Sequence, residues 1–153
     1  MVQIHALFAE SKALNRVAAL RAELDSARAA RFPLHVSVAY APRRMPSECR
    51  LPRGATLGLG TVSVWPAPDV GIYLSIDTGR DWLKSLRIEL GEPEASGYVP
   101  HVTLLHHRAH RDGQKLADLR RRFEQLWTPQ TAKVVALVAV DEAGTIVDRV
   151  QVG

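Results

Sequence analysis

The chain has 153 residues, of which 46% are hydrophobic and 24% charged, a composition typical of a globular domain rather than a disordered or fibrous protein. No apolar run approaches the ~20 residues of a membrane-spanning helix, the first residues lack the basic segment of a signal peptide, and the single cysteine, Cys49, excludes an intrachain disulfide. The net charge of +4 favours an anionic partner only weakly. We therefore expect a single domain over residues 1–153, located in the reducing cytoplasm.

The first third of the chain predicts a strand, a helix and a second strand. Residues 2–9 alternate between apolar and polar side chains, as a strand does. Residues 11–29 place apolar side chains near the helical period, behind Ser11 as a suitable N-cap. Residues 34–40 alternate again. Residues 42–54 hold three prolines, four arginines and a glycine, which predicts a loop.

The remainder of the chain predicts more strands than helices. The expected elements, in chain order, are strand 56–65, turn 66–69, strand 71–77, helix 78–90, strand 99–106, a helix after Asp112, strand 133–140 and strand 145–152. Asp77 or Thr78 is expected to cap the first of these helices, and Gly91 to end it. No linker divides this order of elements, which favours an α+β fold.

A short pattern of residues occurs twice, as His35-Val36-Ser37 and His101-Val102-Thr103. Successive side chains of a strand point to opposite faces, so each copy presents an imidazole and a hydroxyl together. The offset that takes His35 to His101 also takes one Leu-Arg-x-Glu-Leu segment, residues 20–24, to the other, residues 86–90. Two buried strands with structural histidines are the simpler alternative, but a match that extends to the preceding helices favours a duplicated functional unit.

These motifs and the matching helices before them resemble the 2H phosphoesterases, a superfamily named for two His-x-Thr/Ser motifs. The resemblance covers nearly the whole chain in element order. It implies an α+β fold of two intertwined, pseudo-symmetric lobes, with antiparallel sheets facing a central cleft and helices outside. Members of the superfamily hydrolyse 2′,3′-cyclic phosphates, related cyclic phosphates, 2′-5′-linked oligoadenylates, RNA 3′ ends or cyclic oligonucleotide signals, and many are described as 2′-5′ RNA ligase-like. Ser37 stands where threonine is commoner, a change that keeps the hydroxyl.

The residues of the two motifs suit phosphodiester cleavage on chemical grounds. A base must activate water or a ribose hydroxyl, and an acid must protonate the leaving oxygen. Histidine can serve as either near neutral pH, so His35 and His101 are the expected catalytic pair. Ser37 and Thr103 are the expected donors to the phosphate oxygens, on which charge builds in the transition state. The sequence leaves open which histidine is the base.

Other residues are candidates for substrate binding. By strand alternation Tyr73 lies on the face away from the core, where it stacks on a base or is a surface residue. His107 or Arg108 holds phosphate at the cleft edge, or belongs to a solvated strand end. His5 lines the cleft or is a buried structural histidine. The tryptophans are expected in the core or between the lobes, at Trp65, Trp82 and Trp127.

Metal and thiol chemistry fit the sequence poorly. His101, His106, His107 and His110 lie close in sequence, but their spacing matches no zinc motif and no acidic ligand is interleaved. Nothing marks Cys49 as an activated nucleophile. We therefore expect no metal and no other cofactor.

The sequence thus predicts a metal-independent phosphodiesterase acting on a nucleotide or RNA phosphodiester, in the first place a 2′,3′-cyclic phosphate. Its partner is then an RNA end or a small nucleotide, with no membrane, and the chain is expected to be a monomer. One alternative is a hydrolase of cyclic or 2′-5′-linked signalling oligonucleotides. Another is a non-catalytic RNA- or nucleotide-binding module of the same fold.

Overall fold

A computed structural model of the chain describes residues 1–65, 71–93, 97–106 and 113–153. Its strands are β1 (Gln3–Phe8), β2 (His35–Ala39), β3 (Thr56–Val64), β4 (Ile72–Thr78), β5 (His101–Leu105), β6 (Gln130–Val140) and β7 (Ile146–Gln151). Its α-helices are α1 (Lys12–Leu24), α2 (Ser26–Arg31), α3 (Arg80–Glu89) and α4 (Gly113–Leu126). A short 3-10 turn, Pro46–Glu48, interrupts the predicted loop.

The helix predicted over residues 11–29 is in fact two helices. Ser11 caps α1 as predicted, because its hydroxyl accepts a hydrogen bond from the Leu14 amide (3.1 Å). Asp25 separates the helices: its amide donates to Arg21 O and its carboxylate accepts from the Arg28 amide. One residue therefore ends α1 and caps α2.

The predicted cap of α3 is also wrong. Neither Asp77 nor Thr78 caps the helix, because β4 continues through Thr78, which pairs with Gly58 of β3. Gly79 occupies the N-cap position with a φ of 92°, in the left-handed region that favours glycine. Gly91 (φ 68°) follows the end of the helix, as expected. The predicted turn at 66–69 and Asp112 lie outside the described residues.

The strands pair antiparallel throughout, in the order β1-β2-β5-β4-β3-β6-β7, and β1 also pairs with β6. Within the described residues, the strands from β1 to β6 therefore form a closed ring, and β7 extends it from one edge of β6. We call β1, β2 and β6 with α1 and α2 the first lobe, and β3, β4 and β5 with α3 the second lobe. The lobes meet where β2 pairs with β5 and where β3 pairs with β6. The predicted α+β fold is confirmed.

The core lies between one face of this sheet and the helices. Val36 and Val102, at the centre of the two motifs, are fully buried in it. Helix α1 packs against β5 and α3 against β2, so each lobe supports the motif strand of the other. Among the described helices, none has the length and apolar character needed to cross a membrane.

Candidate active site

The two sequence motifs lie on neighbouring strands. Val36 of β2 pairs with Val102 of β5 in an antiparallel ladder. Continuing this register by one residue in each direction places His35 across from Thr103 and Ser37 across from His101. Since the two valines point into the core, the four polar side chains share the opposite face of the sheet. We call this face the motif face.

Each motif histidine is held by the backbone two residues before it. Nδ1 of His35 lies 2.7 Å from Pro33 O, and Nδ1 of His101 lies 2.8 Å from Val99 O. A carbonyl oxygen only accepts hydrogen bonds, so Nδ1 carries the proton in both rings. Nε2 is therefore the nitrogen that each ring has for proton transfer.

Burial lowers the pKa of His35 to about 3, since the charged ring loses its hydration. Charge on His5 lowers this pKa further, and so do the guanidinium groups of Arg21 and Arg28, whereas the hydrogen bond to Pro33 O raises it. The first motif histidine is consequently neutral at pH 7 in the unliganded protein.

Burial likewise lowers the pKa of His101, and the hydrogen bond to Val99 O opposes the shift. The second motif histidine therefore also favours its neutral form at pH 7. A ligand that charges either ring must offset the lost hydration with its own negative charge.

The two histidines have different aromatic neighbours. The His5 ring stacks on His35, with centroids 3.7 Å apart and an interplanar angle of 7°. Beside His101, Trp65 stacks on Tyr73 with centroids 4.1 Å apart, and both rings meet the imidazole edge to face. Tyr73 pairs with Thr103 and therefore lies beside the second motif.

Sequence reasoning misplaced Trp65 and did not identify the ring on which His5 stacks. Trp65 was expected in the core or between the lobes, but it is partly exposed next to Tyr73 on the motif face. Its alternation with Ser63, which pairs with Tyr73, is the signal that places it there. His5 is buried and shares a hydrogen bond with the Gln3 side chain, as a structural histidine does. Its stacking partner could not be seen in the sequence.

His107, Arg108 and His110 lie outside the described residues. Among the residues the structure describes, no three His, Cys, Asp or Glu side chains lie close enough to hold a metal ion. The Cys49 thiol donates to Met45 O and Glu89 O, and burial raises its pKa, so nothing there activates it as a nucleophile.

The structure is similar to solved structures of the 2H phosphoesterase superfamily. E. coli LigT complexed with ATP is 15% identical with a TM-score of 0.53, and E. coli LigT complexed with 3′-AMP is 15% identical with a TM-score of 0.52. Kluyveromyces marxianus Usb1 is 16% identical with a TM-score of 0.50. Each match covers 99% of this chain and 96% of the other. The chain therefore has the 2H phosphoesterase fold.

By sequence alone, no protein-family model and no curated protein matches the chain.

Proposed function

We propose that the protein is a metal-independent phosphodiesterase that hydrolyses a nucleotide or RNA phosphodiester, with His35 and His101 as the proton-transfer groups. The observation that carries this proposal is the β2–β5 register, which brings both His-x-Ser/Thr motifs onto the motif face. Binding alone does not need two imidazoles held with Nε2 available, whereas hydrolysis needs a base and an acid. The compartment we expect is the cytoplasm, on the evidence of the single cysteine.

The proposed reaction uses the two rings in opposite protonation states. The neutral histidine takes a proton from water through Nε2 as the water oxygen bonds to phosphorus. The protonated histidine gives its proton to the leaving ribose oxygen as the phosphorus–oxygen bond breaks. Ser37 and Thr103 donate hydrogen bonds to the phosphate oxygens. A phosphomonoester and a free hydroxyl result, and both rings regain their starting states by exchange with solvent.

The substrate itself supplies the charge that this scheme requires. Both histidines have lowered pKa values, so the unliganded site favours two neutral rings. A phosphate anion beside an imidazole favours the protonated form and raises its pKa. We propose that the acid is protonated mainly when substrate binds.

The preferred substrate is a 2′,3′-cyclic phosphate. The stacked pair Trp65 and Tyr73 provides an aromatic surface for the adjoining base, next to His101. Complexes of E. coli LigT with ATP, 3′-AMP and NADP⁺ support a nucleotide ligand for this fold. The partner we propose is an RNA end or a small nucleotide. Cyclic or 2′-5′-linked signalling oligonucleotides are the second candidate.

The proposal is tested with a substrate panel assayed in EDTA. The panel contains 2′,3′-cyclic mononucleotides, RNA ending in a cyclic phosphate, 2′-5′ oligoadenylate and cyclic di- and trinucleotides, with products identified by mass. We expect turnover of at least one compound at full rate in EDTA. If turnover is lost in EDTA and returns when Zn²⁺ or Mn²⁺ is added, the reaction depends on a metal and the proposal is wrong. Binding of a nucleotide with no turnover would favour the non-catalytic module.

Substitutions test the residue roles on whichever compound is turned over. His35→Ala and His101→Ala should each lower kcat by ~10²–10⁴-fold, the usual contribution of an acid or base. Ser37→Ala and Thr103→Ala should each lower it by ~10²–10³-fold, as the loss of an oxyanion donor does. Ser85→Ala removes an exposed hydroxyl on α3 that donates to Asp81 O, and should leave kcat unchanged. Histidine variants with wild-type kcat would rule out the assignment.

A further inference from the structure

His5 is a buried titratable side chain to which the proposed reaction gives no role. It lies on β1 opposite Ser37, and 3% of its surface is exposed. Its Nε2 lies 3.2 Å from Oε1 of Gln3, and the edge of its ring meets Phe32 at a centroid distance of 5.7 Å. Its face lies against His35, nearly parallel, at a centroid distance of 3.7 Å. Two contacts, with Gln3 and Phe32, therefore hold the ring of His5 in addition to its contact with the motif histidine.

The equivalent position of the other lobe has a different side chain. Tyr73 on β4 lies opposite Thr103 just as His5 on β1 lies opposite Ser37. Tyr73 meets His101 edge to face at 5.6 Å, whereas His5 covers a face of its neighbour. Each lobe thus places an aromatic ring beside its motif histidine. In the first lobe that ring is His5, an imidazole with the same ordinary pKa as His35.

We infer that His5 is a positioning residue for His35, holding the imidazole by stacking so that Nδ1–H stays on Pro33 O and Nε2 stays available on the motif face. The inference rests on the proposed function for its catalytic consequence. An imidazole held only by its hydrogen bond to Pro33 O can still rotate about its two side-chain bonds. Stacking restricts this rotation, because tilting the His35 ring would drive one of its edges into the ring of His5.

The stacking also couples the titration of the two rings. Two imidazolium rings at this separation repel each other, so protonation of His5 opposes protonation of His35. Both pKa values are lowered, that of His5 to about 4, by burial first and by Arg28 second. The charged groups that act on His35 from other elements are Arg21 of α1 and Arg28 of α2, and the Phe32 ring lies near both imidazoles. Removing only the charge of His5 should therefore raise the pKa of His35 without restoring its ordinary value.

Two variants separate the ring from the charge. His5→Phe keeps an aromatic ring for stacking and removes the titration. His5→Gln removes the ring and keeps an amide that can hydrogen-bond to Gln3. Imidazole ¹⁵N shifts report the tautomer and titration of each histidine without any substrate, and circular dichroism confirms that each variant is folded. His101 serves as the internal control in every sample.

In the wild-type protein and in His5→Phe we expect His35 to show the Nδ1–H tautomer at pH 7. His5→Phe should also show His35 titrating at higher pH than in the wild type. In His5→Gln we expect a mixture of tautomers at His35 and a kcat lower by ~10²-fold, the cost of a misplaced catalytic group, with KM unchanged. His101 should keep its tautomer in all samples.

A folded His5→Gln protein with the wild-type tautomer at His35 and the wild-type kcat would overturn the inference. A changed tautomer at His35, together with no turnover by any variant or by the wild type, would support the positioning contact and reject the proposed function instead.

Discussion

The motif histidines are oriented by the same backbone contact although their surroundings differ. In both, Nδ1 donates to the carbonyl two residues earlier, which removes the ambiguity between tautomers. Burial then lowers both pKa values, that of His35 to about 3. The geometry thus specifies which nitrogen reacts, and the burial specifies the protonation state before substrate binds.

These shifts predict the pH dependence of the reaction. kcat/KM reports the unliganded protein, in which the acid has a pKa below its ordinary value of 6.5. Protonated acid is lost as pH rises through that lowered pKa, so kcat/KM should fall steadily above about pH 6.5. kcat reports the complex, where the phosphate raises the pKa, and its optimum should lie at higher pH. Initial rates from pH 4.5 to 8.5 check this, and a kcat/KM maximum above pH 7.5 would contradict it.

Tyr73 is expected to affect substrate binding more than the chemical step. Tyr73→Ala removes one ring of the stacked pair with Trp65, and base–aromatic stacking contributes ~1–3 kcal/mol to binding. KM for a nucleotide substrate should therefore rise ~5- to 150-fold, with a much smaller change in kcat. Tyr73→Phe keeps the ring and is the matched control. Equal KM values for the alanine and wild-type proteins would show that the base binds elsewhere.

At the scale of elements, strand β2 is held by side chains of the second lobe. Tyr98 donates its hydroxyl to Ser37 O (2.9 Å), and Arg87 of α3 donates to Val38 O (2.7 Å). The Arg87 guanidinium also lies 3.9 Å over the Tyr98 ring. These contacts hold β2 at Ser37 and Val38, so the second lobe helps to position the first motif.

Both Leu-Arg-x-Glu-Leu segments contribute a buried arginine that contacts the backbone at or just before β2. Arg21 and Arg87, equivalent in the repeat, are both buried, and each donates to a backbone carbonyl near β2. Arg21 bonds to Phe32 O (2.6 Å), before the strand, and Arg87 bonds to Val38 O, within it. Burial lowers the pKa of Arg21 to about 10, with Arg28 acting in the same direction, so the group remains charged at pH 7.

Removing the Arg87 donor should destabilise the protein. Arg87→Met keeps much of the length of the side chain but leaves Val38 O without this partner in a buried position, at a cost of ~1–3 kcal/mol in the free energy of unfolding. Arg122→Met on α4 is the matched control, because Arg122 is exposed and its pair with Glu23 contributes ~0–1 kcal/mol. Urea unfolding compares the two. Equal losses of stability would mean that the carbonyl contact does not stabilise β2.

At the scale of the whole molecule, the closed ring of strands places the motifs symmetrically. β2 and β5 are neighbours, with β1 outside the first and β4 outside the second. The Val36–Val102 pair is the centre about which the lobes correspond, since His35 matches His101 and His5 matches Tyr73. Closure also leaves fewer strand edges exposed to pairing with other chains.

The stability of the whole molecule should depend on pH, because burial in the fold favours the neutral form of two histidines. His5 and His35 have folded pKa values of about 4 and about 3, and both return to about 6.5 on unfolding. The unfolded chain therefore binds more protons below pH 6.5, and the free energy of unfolding falls by up to ~1.4 kcal/mol per pH unit for each histidine.

Urea unfolding at pH 7.5, 6.5 and 5.5 measures this loss. His5→Phe should show a weaker dependence than the wild type, because one of the histidines with a lowered pKa is gone. A free energy of unfolding that is the same at pH 7.5 and 5.5 would contradict the burial of neutral rings.

Much of the site was predictable from the sequence because it depends on local periodicity. Strand alternation places His35 with Ser37, and His101 with Thr103, on one face whatever the rest of the chain does. The motifs and the preceding helices share one offset in the sequence, which indicates two equivalent lobes. This repeat supported the resemblance to the 2H phosphoesterases, and the fold that the resemblance implies is the fold observed.

Tertiary structure alone decided how the strands are paired and what lies beside the two histidines. Val36 opposite Val102 is a register between strands far apart in sequence, which packing of the whole ring sets. The contacts of His5 with His35 and of Trp65 with Tyr73 follow from that pairing. Periodicity assigns a side chain to a face, but the neighbour it meets on that face depends on which strand lies next to it and in what register.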